Sequence, residues 1–281
     1  MTIGNTISVG SSLGGSSLGG LLAEMRQASP LVQCITNYVA MNIAANVLLA
    51  AGASPAMVHA QEEAGEFAAI AGALTVNIGT LSPDWVAGMR KAAKGANKAG
   101  KPWVLDPVAH FATAYRRETV AELIKLKPAI IRGNASEIIA LAGGTSAGQG
   151  VDSGDTVASA ESAARAVARQ TGAVVAVTGA TDFVTDGERA MRIEGGSPLM
   201  PRVTALGCSL TCLVGAFAAV RPKDPFAASV AALAVFAVAG ERAGRASDGP
   251  GSFGWRFLDA LAALDPAALD REARRSEAVP A

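Results

Sequence analysis

The chain has 281 residues, enough for one large α/β domain, and no shift of composition divides its middle. Lysine plus arginine balances aspartate plus glutamate at 24 each, with no basic run interleaved with aromatics. Nucleic acid is therefore not an expected partner, and any anionic ligand must be held by a local site. Hydrophobic residues make up 50% and aromatics only 5%, so the expected core is Ala, Val, Leu and Ile between closely packed helices.

Residues 1–20, rich in Gly and Ser, lack both a basic start and an apolar run of signal-peptide length, and are expected to form a flexible tail. Leu31 to Ile35 reads as a strand, followed by Thr36 and Asn37 as caps of a helix reaching about Ala51. Pro55 to Val58, Leu74 to Ile78, Trp103 to Leu105, Ala129 to Ile131 and Val174 to Val177 are further strand-like runs. Helix-length segments such as Asp84 to Ala99 and Ser159 to Gln170 lie between them. This alternation predicts βαβ units, hence an α/β fold with a mostly parallel central sheet flanked by helices. Asp186-Gly187, between Phe183-Val184 and Met191 to Ile193, predicts a tight hairpin at one edge.

From Cys208 the chain is expected to be helical almost to its end. Residues 21–265 are read as one domain and 266–281 as a polar C-terminal tail. The apolar run Phe226 to Gly240 is shorter than the roughly 20 residues of a membrane helix, which points to a buried helix and no membrane partner. Cys34, Cys208 and Cys212 form no even framework, which favours a reducing, cytoplasmic setting. Cys208 and Cys212 lie four apart on one helix face, but no nearby His or Cys completes a metal site.

Polar residues follow the strand-like runs at their carboxyl ends: Asp106-Pro107, Arg132-Gly133-Asn134 and Thr178-Gly179. That rim is where ligands bind in open α/β sheets. Taken singly, Asp106 also reads as a turn former, and Thr178 and Asn134 as caps. Asn134 and Glu137 lie three apart, which fits a capping box. It also fits oxygen ligation of magnesium, with Asp106 as neighbour and substrate phosphates completing the shell. Thr204 to Gly215, T-A-L-G-C-S-L-T-C-L-V-G, opens a helix whose first amides suit a phosphate.

The motifs P-L-V-Q-C-I-T-N from Pro30, G-A-S-P-A-M from Gly52, L-T-V-N-I-G-T-L from Leu74, L-D-P-V from Leu105, I-R-G-N-A-S-E-I from Ile131, V-T-G from Val177 and G-P-G-S-F from Gly249 occur in the order of one family. Across about residues 28 to 260 the chain resembles hydroxyethylthiazole kinase. The resemblance implies a ribokinase-like fold without a lid and a role in thiamine salvage. It implies magnesium-dependent transfer of the ATP γ-phosphate to the alcohol of 4-methyl-5-(2-hydroxyethyl)thiazole, and a homotrimer with active sites between subunits.

By the same resemblance Met57 and Ala205 fall at substrate contacts, Arg132 and Thr178 at ATP contacts, and Asp106 and Glu137 at positions tied to magnesium. Asn37 lies in a matching motif without an assigned role. Gly207 and Cys208 form the catalytic turn, with Cys208 where relatives in the wider superfamily carry a proton-accepting aspartate. A thiol near a helix start can have a lowered pKa, yet it is a poor base for an alcohol, so a mainly positional role is expected.

Two departures stand out. The family's T-G-x-G-C reads Thr204-Ala205-Leu206-Gly207-Cys208 here, and alanine disfavours positive φ by roughly 1 kcal/mol or more. After Asp106, P-V-A-H-F-A-T replaces the glycine-rich P-V-G-A-G-A-T, placing His110 either in solvent or within reach of phosphates. Two other readings compete: an ATP-dependent repair dehydratase of the same superfold, and a non-catalytic nucleotide- or thiazole-binding protein.

Overall fold

The structure, a computed structural model, describes residues 15–144 and 155–278. The apolar runs form strands β1 (Leu31–Ile35), β2 (Ser54–Ala56), β3 (Ala73–Asn77), β4 (Trp103–Asp106), β5 (Ile130–Asn134) and β6 (Val174–Thr178), all paired in parallel. β3 and β4 are buried at every position. A strand covered on both faces has no solvent side to mark with polar residues, hence the unbroken apolar runs.

β7 (Thr181–Thr185), β8 (Ala190–Glu194) and β9 (Arg274–Glu277) continue the sheet antiparallel, giving the order β2-β1-β3-β4-β5-β6-β7-β8-β9. The hairpin at Asp186-Gly187 is the β7–β8 turn, where Asp186 Oδ1 accepts from the amides of Glu188 and Arg189. All nine strands among the described residues belong to this one sheet, so none forms a separate lid.

Against one face pack α1 (Leu18–Ala28), α2 (Met41–Ala51), α8 (Leu206–Val220), α9 (Pro225–Arg245), α10 (Pro250–Ala263) and α11 (Pro266–Glu272). Against the other pack α3 (Ala64–Ile70), α4 (Pro83–Lys98), α5 (Ala114–Ile124), α6 (Ala135–Leu141) and α7 (Val157–Thr171). α9 is long and apolar enough to cross a membrane by length and composition, yet every residue from Phe226 to Gly240 is buried inside the fold.

Three expectations change. Residues 1–14 of the expected tail lie outside the described residues, whereas Leu18–Gly20 already form the first turn of α1, capped by Ser17. The expected C-terminal tail folds as α11 and then β9, which pairs with β8, while 279–281 lie outside the described residues. An edge strand needs no apolar alternation, so R-R-S-E carries no strand signal. Finally, α2 starts at Met41 without a side-chain cap, and Asn37 instead holds a preceding turn through Ala40 N–H (3.0 Å).

Register positions the rim. Asn77 stands opposite Asp106 on neighbouring strands, and Asn134 opposite Thr178, so one row of polar side chains crosses the carboxyl edge of the sheet. The row begins where the strand order reverses, between β1 and β3, the switch point at which such sheets open a crevice.

Candidate active site at the strand-end rim

Asp106 ends β4 and is buried. Its Oδ2 accepts from Asn77 Nδ2–H (2.7 Å) and Thr211 Oγ1–H (2.7 Å), with Arg132 Nη1 at 3.7 Å, while Oδ1 has no hydrogen-bond partner. Burial raises its pKa, and Arg132, Thr211 and Asn77 pull it back. A buried carboxylate with one idle oxygen is an unsatisfied acceptor, which costs stability unless a cation or donor arrives.

Glu137, in the first turn of α6, completes the capping box: Asn134 N–H donates to its Oε2 (2.8 Å) and Asn134 Oδ1 accepts from its amide (2.9 Å). Its Oε1 accepts from Ala109 N–H (2.9 Å). Burial, and then the charge of Asp106, push its pKa up to about 7. The cap and the site are thus one structure, since the carboxyl that closes the helix also faces the cavity.

Arg132 runs between the strand ends. Its Nη2 donates to Thr178 Oγ1, and its guanidinium packs so closely on Gly207 that a Cβ there would lie 3.0 Å from Nη1. A side chain at 207 would make the guanidinium shift by a few tenths of an ångström. α8 starts at Leu206 behind Ala205, which has φ 62° and supplies no side-chain cap. The first amides of α8 are free for an anion beside Arg132. Ala109 also has positive φ, 47°. Both alanines replace glycines of the resembled motifs, and both keep the backbone form a glycine would adopt.

Cys208 Sγ accepts from Asn37 Nδ2–H at 3.3 Å. Burial, and then the Asp106 charge, push its pKa up to about 11, so the helix start does not produce a thiolate. His110 does not stand in solvent. It is buried, lines neither cavity described below, and burial lowers its pKa to about 4.

Two cavities meet at Arg132 and Gly207. One, of about 520 Å3, is lined by Asn37, Asp106, Asn134, Glu137, Ala205 and Cys208 among others. The second, of about 560 Å3, is lined by Thr178, Gly195, Gly196, Met200, Phe236 and Ala237 among others. Seven of the eight expected site residues line one cavity or both. Met57 does not: it follows β2, half-buried against the core.

Sequence reasoning missed Asn77, Thr211 and Arg116. Arg116 donates to the carbonyls of Ile78 (2.9 Å), Val108 (2.8 Å) and Gly79 (2.7 Å), tying together the loops after β3 and β4. Only Asn77 left a signal, a lone amide closing the apolar run of β3.

The chain matches the hydroxyethylthiazole kinase family model over residues 22–267. A relative named hydroxyethylthiazole kinase from Rhizobium rhizogenes is 76% identical over 256 residues, 91% of this chain and 96% of the relative. Another of that name, from Cereibacter sphaeroides, is 66% identical over 256 residues, covering 91% and 97%. The solved structure of a hydroxyethylthiazole kinase protein from Pyrococcus horikoshii superposes with a TM-score of 0.85 at 38% identity, covering 93% of this chain and 99% of that chain. A Staphylococcus aureus pyridoxal kinase in complex with ADP shares the fold, with a TM-score of 0.63 at 15% identity over 89% of this chain and 99% of that one. Its architecture is ribokinase-like, and the chain belongs to the hydroxyethylthiazole kinase family.

Proposed function

We propose that this chain transfers the γ-phosphate of ATP to the alcohol of 4-methyl-5-(2-hydroxyethyl)thiazole, a step of thiamine biosynthesis or salvage. Beyond family membership, one observation carries the reading: Arg132 and the free amides of α8 meet at the junction of two cavities, with Asp106 and Glu137 facing them. Phosphoryl transfer depends chiefly on alignment and charge stabilisation, which this junction supplies.

The cavity beside Thr178 would take the nucleotide and the one beside Cys208 the thiazole, with Leu206 and Gly207 between them and Ala205 on the thiazole side. Asp106 and Glu137 are the groups that would hold magnesium. The idle, buried Oδ1 of Asp106 fits a hard cation. No cluster of three or more His, Cys, Asp or Glu is placed to hold an ion among the described residues, so phosphates and water would complete the shell. When bound, magnesium would offset phosphate charge. Arg132 would grip phosphate oxygens by a fork of hydrogen bonds. Cys208, a neutral thiol, touches the alcohol without serving as its base.

Tyr38, Val39, Leu49 and Ile70 are exposed apolar side chains on or near the β1–β2 side, and Val39 also lines the Cys208 cavity. They support a homotrimer in which a second copy closes that cavity and supplies Met57 to it. Three free thiols suit a reducing, cytoplasmic setting.

Incubating the protein with magnesium, ATP and the hydroxyethylthiazole tests the reading. The phosphate ester is the expected product. No ester above background at high enzyme concentration would sink it. ATP-driven dehydration would favour the lyase, and binding without turnover a non-catalytic role.

A further inference from the structure

Four hydrogen bonds cross the rim from Thr211 through Asp106, Asn77 and Asn37 to Cys208, and no role above uses the two asparagines. Backbone amides, which can only donate, fix how both side chains are turned. Gly79 N–H donates to Asn77 Oδ1 (2.8 Å), and Ala40 N–H donates to Asn37 Oδ1 (3.0 Å). Asn77 therefore presents Nδ2–H to Asp106 Oδ2 at 2.7 Å. Asn37 presents Nδ2 to both Asn77 Oδ1 (2.9 Å) and Cys208 Sγ (3.3 Å).

The consequence falls on the thiol proton. Asn37 offers Cys208 only N–H, and Asn77 Oδ1 already accepts from two donors, so neither amide can receive an S–H. Cys208 donates to no protein acceptor among the described residues, and it lines the cavity. Among the described residues, the cavity is the direction left open to its hydrogen.

We propose that Asn37 and Asn77 are positioning residues that make Cys208 a hydrogen-bond donor to the oxygen of the acceptor alcohol. This rests on the kinase reading. The S–H would engage one lone pair of the alcohol oxygen and leave the other directed at phosphorus. Alignment of that kind is what a loose phosphoryl-transfer transition state rewards: as the O–P bond forms and ADP leaves, the alcohol's own proton passes to an oxygen of the transferred phosphoryl group, and none passes to sulfur.

Asn37→Asp tests the polarity, because it keeps an acceptor for Ala40 N–H while facing Cys208 with an oxygen. In the free protein the S–H stretching band that disappears in Cys208→Ser should move to lower frequency in Asn37→Asp, as the thiol turns to donate to the carboxylate. A band that does not move overturns the polarity whatever the enzyme does.

Kinetics test the role. Asn37→Asp should raise KM for the thiazole alcohol about tenfold with KM for ATP unchanged, but less than about twofold in a Cys208→Ala background. Equal rises in both backgrounds would make Asn37 merely structural and overturn the proposal. Cys208→Ser, which keeps a donor, should restore the tenfold sensitivity. If the aspartate variant does not fold, Asn37→Ser, which keeps an acceptor for the Ala40 turn, carries the same coupling measurement. A wild type that makes no ester removes the kinase reading, and with it the alcohol as the acceptor of the S–H, while the infrared result still decides the polarity.

Discussion

The two cavities that flank Arg132 are nearly equal in size, about 520 and 560 Å3, and differ in which polar groups line them. The one beside Cys208 gathers two buried carboxyls, a thiol and the amides of Asn37 and Asn134. The one beside Thr178 has one carboxyl, Asp182, among glycines, Met200, Phe236 and Ala237, and Gly195 lies so near Ala237 that an added Cβ would come within 3.1 Å of it. The first cavity keeps polar groups poised at an energetic cost. The second is defined by shape. On the proposed reading, chemistry and recognition fall on different sides of one guanidinium, and substitutions on each side should leave different signatures.

The largest effect is expected on the polar side. Asp106→Asn should lower turnover by about 10²–10³-fold, with partial recovery at high magnesium, because it weakens the hold on the magnesium that would offset phosphate charge. Full activity at limiting magnesium would break the division between the cavities.

Next comes His110, under the loop that delivers Ala109 to Glu137. Its pKa falls from 6.5 to about 4 on folding, so the folded state resists its protonation. The stability tied to its neutral form is present above pH 6.5 and is lost as pH falls through about 4. Between these limits wild type should lose roughly 2–3 kcal/mol more than His110→Ala does. Thermal melts of the two proteins across that window provide the check, and parallel curves would refute the burial argument.

A smaller effect belongs to the shape-defined side. Ala237→Leu should raise KM for ATP about tenfold while leaving KM for the thiazole alcohol unchanged, by crowding Gly195. Equal rises in both constants would show that the cavities are not separate.

The smallest effect belongs to the turn at the edge of the Cys208 cavity. Ala205→Gly should stabilise the fold by about 1 kcal/mol or less, since alanine holds φ 62° there against its preference. Loss of stability on chemical denaturation would mean that the methyl packs well enough to outweigh the strain.

The parallel sheet was legible because its strands are unbroken apolar runs, and the rim because Asp106, Arg132 and Thr178 follow those runs directly. Asn37 was misread as a helix cap, since Thr-Asn before an apolar helix has the composition of one. Only the long-range bonds to Asn77 and Cys208 distinguish its real role. Thr211 is one turn into α8 and has the appearance of core filler, and Arg116 acts on carbonyls some 37 residues away, as at Gly79. Glu137 was legible in two ways, as a cap and as a site group; the structure shows the cap, and its carboxyl lines the Cys208 cavity. The direction of the Cys208 shift was not legible, because burial outweighs the helix start.

α9 carries a consequence for how the chain is made. Pro225 to Arg245 emerges from the ribosome while α10 and α11, two of the helices that pack against it, are still held in the exit tunnel. For that interval the nascent protein presents a segment with the length and apolarity of a membrane span and an incomplete cover. Chains released early, or truncated before α10, should therefore be captured by chaperones or aggregate, and slower synthesis at lower temperature should raise the soluble yield.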